Sequence, residues 1–233
     1  MNIMSFNTQH CQSFTEQCID FELMARTITD CGADIVGLNE MRGEGSHPDY
    51  TDQVPQLAVL TGLSHHYFAE AFRVGGENPY GNGLLSRYPI EYVETIPIPM
   101  PSPRGYDGYY EPRCVLKARL QGGITVLVAH FGLNPDEQES AVDTVLTHLT
   151  DTRCILMGDF NTQPDDAVLA PIRARMADAA DCFAGPRLSY PSDAPQCKID
   201  YIFVSRDIRV VAADIPTIVA SDHRPHTAEI EVL

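Results

Sequence analysis

The chain has 233 residues, 44% of them hydrophobic and 21% charged, enough for a substantial buried core and within the globular class. Lys and Arg total 16 against 32 Asp and Glu, a formal net charge of −16, so there is no overall basic footprint of the kind that grips duplex nucleic acid. No apolar run approaches the roughly 18 residues of a membrane span. Residues Met1 to Phe6 lack the basic region of a secretory signal, and a cytoplasmic location is therefore expected.

In chain order, an apolar strand over 2–6 leads into a helix over 16–31, where Ile19, Leu23, Met24, Ile28 and Cys31 recur at helical spacing. A strand over 34–39 precedes a shorter helix over 52–61, followed by strands over 66–71, 82–86 and 90–96. Residues 97–112 are rich in Pro, Gly and Tyr and read as a long loop, a feature that is usually functional. Strands 113–120 and 123–130 then form a hairpin turning at Gly122-Gly123. Helix 136–149 carries Val142, Val145, Leu146 and Leu149 and starts near Asn134 or Pro135-Asp136. After a strand over 153–158, a helix over 165–175 follows an acidic entry at Asp165-Asp166. A second irregular stretch, 181–197, precedes strands over 198–204, 208–213 and 226–232. Strands and helices mix without strict βαβ alternation, which suits an α/β sandwich with mixed sheets better than a doubly wound parallel sheet.

The seven cysteines stand at 11, 18, 31, 114, 154, 182 and 197, and no pair has zinc-knuckle or redox-pair spacing. They read as reduced thiols used as small core residues.

Several strands end in polar groups that a core strand does not need. The first ends at Asn7 and the second at Glu40. Strand 123–130 ends at His130, and 153–158 delivers Gly158-Asp159-Phe160-Asn161. Asp200 opens a later strand, and Ser221-Asp222-His223 precedes the last one. Each alone reads as a turn former, a cap or a structural histidine. Together, strand-end carboxylates, carboxamides and two histidines, with no thiolate among them, suit a hard cation such as Mg²⁺ or Mn²⁺.

In this order the pieces resemble the endonuclease/exonuclease/phosphatase family, which includes deoxyribonuclease I, neutral sphingomyelinases and deadenylases. The likeness is carried by the strand to Asn7, by Asp34-to-Glu40, by Gly81-Asn82-Gly83 through Arg87-Tyr88-Pro89, and by Val128-Ala129-His130-Phe131. It continues through Gly158-Asp159-Phe160-Asn161, Ile199-Asp200-Tyr201-Ile202 and Ser221-Asp222-His223. The resemblance implies a four-layered α/β sandwich, two packed mixed sheets flanked by helices, in one domain over 1–233. It implies Glu40 as principal Mg²⁺ ligand, assisted by Asn7 and Asp222. It implies Asp159 as the group that orients or deprotonates water, with Asn161 holding that water or a phosphate oxygen. His223 would donate to phosphoryl oxygens with its ring oriented by Asp200, and His130 would be a second donor.

Candidate substrate contacts are Asn82, Arg113 and Tyr106. Arg113 reads equally as a phosphate contact or a structural ion pair, and Tyr106, Tyr109 and Tyr110 as stacking faces or as packing for their loop. Relatives of the deoxyribonuclease type set a Glu against the histidine that matches His130, whereas this chain offers Asn82. The expected activity is hydrolysis of a small or lipid-like phosphodiester or phosphomonoester by a monomer, since −16 opposes polyanions. A nuclease acting on DNA or RNA is the first alternative. A catalytically silent binding protein of the same fold is the second.

Overall fold

The computed structural model describes residues 1–185 and 187–233. Twelve strands form two mixed six-stranded sheets. The first sheet contains β1 (Asn2–Asn7), β2 (Ile35–Arg42), β3 (His65–Val74), β4 (Asn78–Ser86), β11 (Ile208–Asp214) and β12 (His226–Val232), in the order β11-β12-β1-β2-β4-β3. The second contains β5 (Ile90–Pro97), β6 (Cys114–Leu120), β7 (Ile124–His130), β8 (Cys154–Asp159), β9 (Met176–Asp178) and β10 (Asp200–Ser205), in the order β5-β6-β7-β8-β10-β9. Each sheet has one parallel pair at its centre, β1/β2 and β7/β8, flanked by antiparallel partners. Phe6-Asn7, which closes β1, and Phe160-Asn161, which follows β8, thus lie at equivalent ends of two similarly built sheets.

Strand alternation sorts the apolar side chains into three cores. Ile3, Ile35 and Leu84 meet Val128, Met157 and Ile202 between the sheets. The opposite faces carry Met4, Phe6 and Val36 against Met24 and Ile28 of α1 (Phe21–Asp30) and Leu57 of α2 (Gln53–Thr61). Leu127, Leu156 and Phe203 pack on Ala141 and Val145 of α3 (Pro135–His148) and on Ile172 of α4 (Ala170–Arg175). Helix, sheet, sheet and helix make the expected four layers. Because both faces of the central strands are covered, their sequences run apolar without a polar alternate, as buried strands do.

Several element boundaries differ from the expectation, each for a local reason. The first helix begins at Phe21 rather than 16, because Asp20 caps it by accepting from the Leu23 N–H at 2.9 Å. Pro171 falls within 165–175, which divides into a 3-10 turn at Ala167–Leu169 and the short α4. The three-residue β9 carries too little pattern to be seen in sequence. The second strand does not end at Glu40 but continues to Arg42 through an irregularity in its pairing with β4 between Leu38 and Met41. The hairpin turn is as expected, with Gly122 and Gly123 both at positive φ. All seven cysteines are free thiols, and Cys11, Cys114 and Cys154 are buried. Lys198 is buried over the Tyr201 ring, 3.4 Å from its centroid, and burial lowers its ammonium to about 8. Among the described residues, no helix is long and apolar enough to cross a membrane.

Gly158 sets how β8 delivers Asp159. Its φ is 146°, and a Cβ there would collide with the carbonyl oxygen of Ala129 on β7. Gly158→Ala is expected to destabilise the fold by more than about 2 kcal/mol in urea titration. A variant as stable as wild type would show that β7 and β8 can separate at this point.

Candidate active site

The strand ends converge where the two sheets meet at one end of the sandwich. The pairing irregularity in β2 places Glu40 at φ 60°, a left-handed conformation that turns its side chain out of the strand alternation. Gln9, His10, Cys11 and Asn161 also have positive φ, so unfavourable backbone conformations cluster around the same site. The preceding residue, Asn39, is fully buried and bridges the sheets. Its Nδ2 donates to Asn82 Oδ1 at 2.8 Å and to Ala129 O at 3.1 Å, and its Oδ1 accepts from the Asp159 backbone N–H at 2.9 Å.

Asp159 is the centre of the cluster, with 2% of its surface exposed. Asn7 Nδ2 donates to its Oδ2 at 3.0 Å and to Glu40 Oε1 at 3.2 Å. The orientation of the Asn7 amide is fixed, because its Oδ1 accepts from the Gln9 N–H at 3.1 Å. Asn7, expected as a metal ligand, bridges two carboxylates through its nitrogen, and its Oδ1, which accepts one N–H, keeps a second lone pair for a cation. His130 Nε2 and His223 Nε2 lie 3.5 and 3.6 Å from Asp159 Oδ2.

The two histidines have opposite electrostatic surroundings. Burial alone would lower the His223 imidazolium, but Asp200, 2.9 Å from its Nδ1, and then Asp159 raise it to about 10. Since that folded-state value lies above the unfolded one, the bound proton stabilises the fold below about pH 6.5, and this contribution is lost as pH rises toward about 10. Burial, then the charges of Arg113 and His223, hold His130 well below the ordinary imidazole range. Burial also raises the Asp159 carboxyl to about 7, with His223 opposing and Asp200 reinforcing the rise. Glu40 is raised by burial and by the charge of Asp222, against the Asn7 hydrogen bond.

The three candidate substrate contacts, Asn82, Arg113 and Tyr106, lie in different surroundings. Asn82 does not face the site: its Oδ1 accepts from Asn39 and its Nδ2 donates to Cys114 O at 2.9 Å, leaving it 2% exposed. The group set against His130 is instead Arg113, whose Nη1 lies 2.8 Å from His130 Nδ1 and 2.8 Å from Glu111 Oε1. Tyr106 stays half exposed on its loop, with no hydrogen bond from its phenol to the cluster among the described residues. Tyr110 anchors that loop through its hydroxyl to Asp136 at the start of α3. Asn161 donates to Phe131 O at 3.0 Å, and its own N–H bonds Asp159 Oδ1 at 2.9 Å.

A model of the endonuclease/exonuclease/phosphatase family matches residues 4–223. The chain belongs to this family. It is 28% identical over 226 residues to the uncharacterized protein YbhP of Escherichia coli, a match covering 86% of this chain and 84% of that one. An endonuclease/exonuclease/phosphatase from Beutenbergia cavernae superposes with a TM-score of 0.80 at 21% identity, over 100% of this chain and 71% of that one. A mannosyl-6-phosphatase of Bacteroides thetaiotaomicron superposes at 0.77 with 14% identity, over 99% of each chain. These two likenesses show the fold.

The family implies a divalent metal, and the donors present suit a hard cation. Glu40 Oε2 accepts no hydrogen bond among the described residues, and burial and then the charge of Asp222 outweigh the Asn7 hydrogen bond and the charges of His223 and Arg113 that favour its anion. Asp159, Asp200 and His223 also bring ligand atoms within 4.8 Å of one another, a possible metal-holding group. There, however, the 2.9 Å His223–Asp200 bond already joins two of the three.

Sequence reading missed Asn39, Glu111 and Tyr190. Asn39 had a signal, a carboxamide in an otherwise apolar strand. Tyr190 had none beyond its place in an irregular stretch, yet its ring centroid lies 4.7 Å from that of His223. Asn39→Ala would strand the Ala129 carbonyl, the Asp159 N–H and Asn82 Oδ1, and it is expected to cost about 2–4 kcal/mol in chemical denaturation. A loss under about 1 kcal/mol would mean that water replaces the carboxamide.

Proposed function

We propose that this chain acts as one catalytic domain over 1–233, a Mg²⁺-dependent hydrolase of small phosphoesters in which Mn²⁺ can replace Mg²⁺. The observation that supports it most is the buried carboxylate of Asp159, held between a proton-bearing His223 and a neutral His130. That arrangement separates a base from a cationic donor within one small volume.

In this reading Asp159 accepts the proton of the attacking water. Burial moves its carboxyl toward neutral pH, where a general base is most effective. Asn7 keeps the carboxylate in place, and Asn161 Oδ1, which accepts nothing else among the described residues, holds the water. His223 donates to the phosphoryl oxygens, with its tautomer and charge set by Asp200. Glu40 and Asp222 would hold the cation, which when bound supplies charge neutralisation on phosphate and a more acidic water. Tyr190, 37% exposed beside His223, offers a flat wall to the organic part of the ester.

A small ester is favoured over a nucleic acid by the disposition of the basic residues. Eight arginines, at 73, 87, 113, 119, 173, 175, 187 and 209, are ion-paired with acids of this chain. Half of the 16 basic residues are thus engaged by acids of the chain itself, which lowers the positive charge available to a polyanion.

The test pairs bis(p-nitrophenyl) phosphate, p-nitrophenyl phosphate and a short oligonucleotide with Mg²⁺ or EDTA. Turnover should require the metal, and Asp159→Asn should lower it about 10²- to 10⁴-fold. The variant should keep a stability close to wild type, since Asn retains an oxygen for the Asn161 N–H and His223 keeps Asp200 as its partner. Full activity in that variant, or turnover unaffected by EDTA, would sink the mechanism. Preference for the oligonucleotide would move the substrate class to nucleic acid.

A further inference from the structure

We propose that Arg113 is a positioning residue: its guanidinium fixes His130 as the Nε2–H tautomer, so that the ring presents one donor N–H to the reaction centre. Arg113 Nη1 lies 2.8 Å from His130 Nδ1, and a guanidinium can only donate. Nδ1 must then accept, which leaves the single ring proton of a neutral imidazole on Nε2.

The other side of the ring obeys the same count. Asn161 Nδ2 lies 3.2 Å from His130 Nε2, and a second donor at Nε2 would leave the ring with no proton at all. The Asn161 amide cannot turn to offer its oxygen, because its Nδ2 donates to Phe131 O at 3.0 Å and the turn would set two acceptors against each other. The 3.2 Å approach is therefore a contact and not a hydrogen bond. The Nε2–H points toward Asp159 Oδ2, 3.5 Å away, too long for a strong bond, which leaves the same N–H available to a phosphoryl oxygen at the reaction centre.

The support for Arg113 is correspondingly firm. Its guanidinium is ion-paired with Glu111, and the Glu111 backbone N–H donates to Glu137 in the first turn of α3 at 3.3 Å. Tyr110, the neighbour of Glu111, is tied to Asp136 on the same helix. The Tyr- and Pro-rich loop thus has a role beyond covering the site: it carries Glu111 to Arg113, and Arg113 to His130. Arg113 and His130 side chains are 11% and 5% exposed, so solvent does not compete for the Nδ1 lone pair.

The kinetic part of this inference rests on the phosphoester reading; the tautomer does not. The test is long-range ¹H–¹⁵N correlation NMR on the full chain labelled at histidine, with His130→Gln assigning the signal. Wild type should show Nε2 protonated and Nδ1 bare, unchanged between about pH 5 and pH 8. Arg113→Met should average the two nitrogens, and Arg113→Lys, which keeps a cationic donor, should restore the pattern. With Mg²⁺ and bis(p-nitrophenyl) phosphate, Arg113→Met should lower kcat about 10- to 100-fold with little change in KM, and Arg113→Lys should recover most of it.

A wild-type His130 protonated on Nδ1, or on both nitrogens, overturns the proposal without needing a folded variant or any activity. So does an Arg113→Met protein with the tautomer unchanged, and a raised KM in that protein would make Arg113 a direct phosphate ligand. Absence of turnover on any phosphoester would refute the hydrolase reading and leave the tautomer assignment standing.

Discussion

The two sheets are held in register at their functional end by one carboxamide. Asn39 lies where β2 of the first sheet passes β7 and β8 of the second, and it satisfies a carbonyl on one and an N–H on the other. Between packed apolar faces there is no water to do this, so the side chain must. The arrangement requires close approach of the sheets: a Cβ at Gly37, two residues earlier on β2, would lie 2.7 Å from Met157 Sδ on β8. Asp159, Asn7 and Glu40 keep their relative positions because this join keeps the sheets from sliding.

The same join accounts for the electrostatics. Holding a carboxylate, two imidazoles and a guanidinium in a nearly dry volume makes every neighbour decisive, since charges are weakly screened there. His223 faces Asp200 and keeps its proton; His130 faces Arg113 and loses it. Neither outcome is intrinsic to histidine. Burial lowers both imidazolium ions; Arg113 adds to that effect at His130 and Asp200 reverses it at His223, so Asp159 has a cation on one side and a neutral donor on the other.

Much of this was legible in residues that are adjacent in the chain. The apolar strands, the Asn7, Glu40, His130, Asp159, Asp200 and Asp222-His223 ends, and the family they resemble could all be read from local pattern. What sequence reading assigned wrongly were pairings between distant segments. It set Asn82 near His130, whereas Asn82 turns inward to Asn39 and Cys114. It did not show that Asn7 joins Glu40 to Asp159 through its nitrogen. It left Arg113 divided between two roles and passed over Asn39.

The sequence by itself determined the strand and helix order, the excess of acid, and the type of each chemical group at the strand ends, because these depend on periodicity and composition. Only the tertiary structure decided which nitrogen of His130 meets Arg113, which end of Asn7 meets Glu40, and which arginines are already paired with acids. Those are matters of direction and distance between residues up to 152 positions apart, such as Asn7 and Asp159. A hydrogen bond selects its partner within a few tenths of an ångström, and no local pattern carries that information.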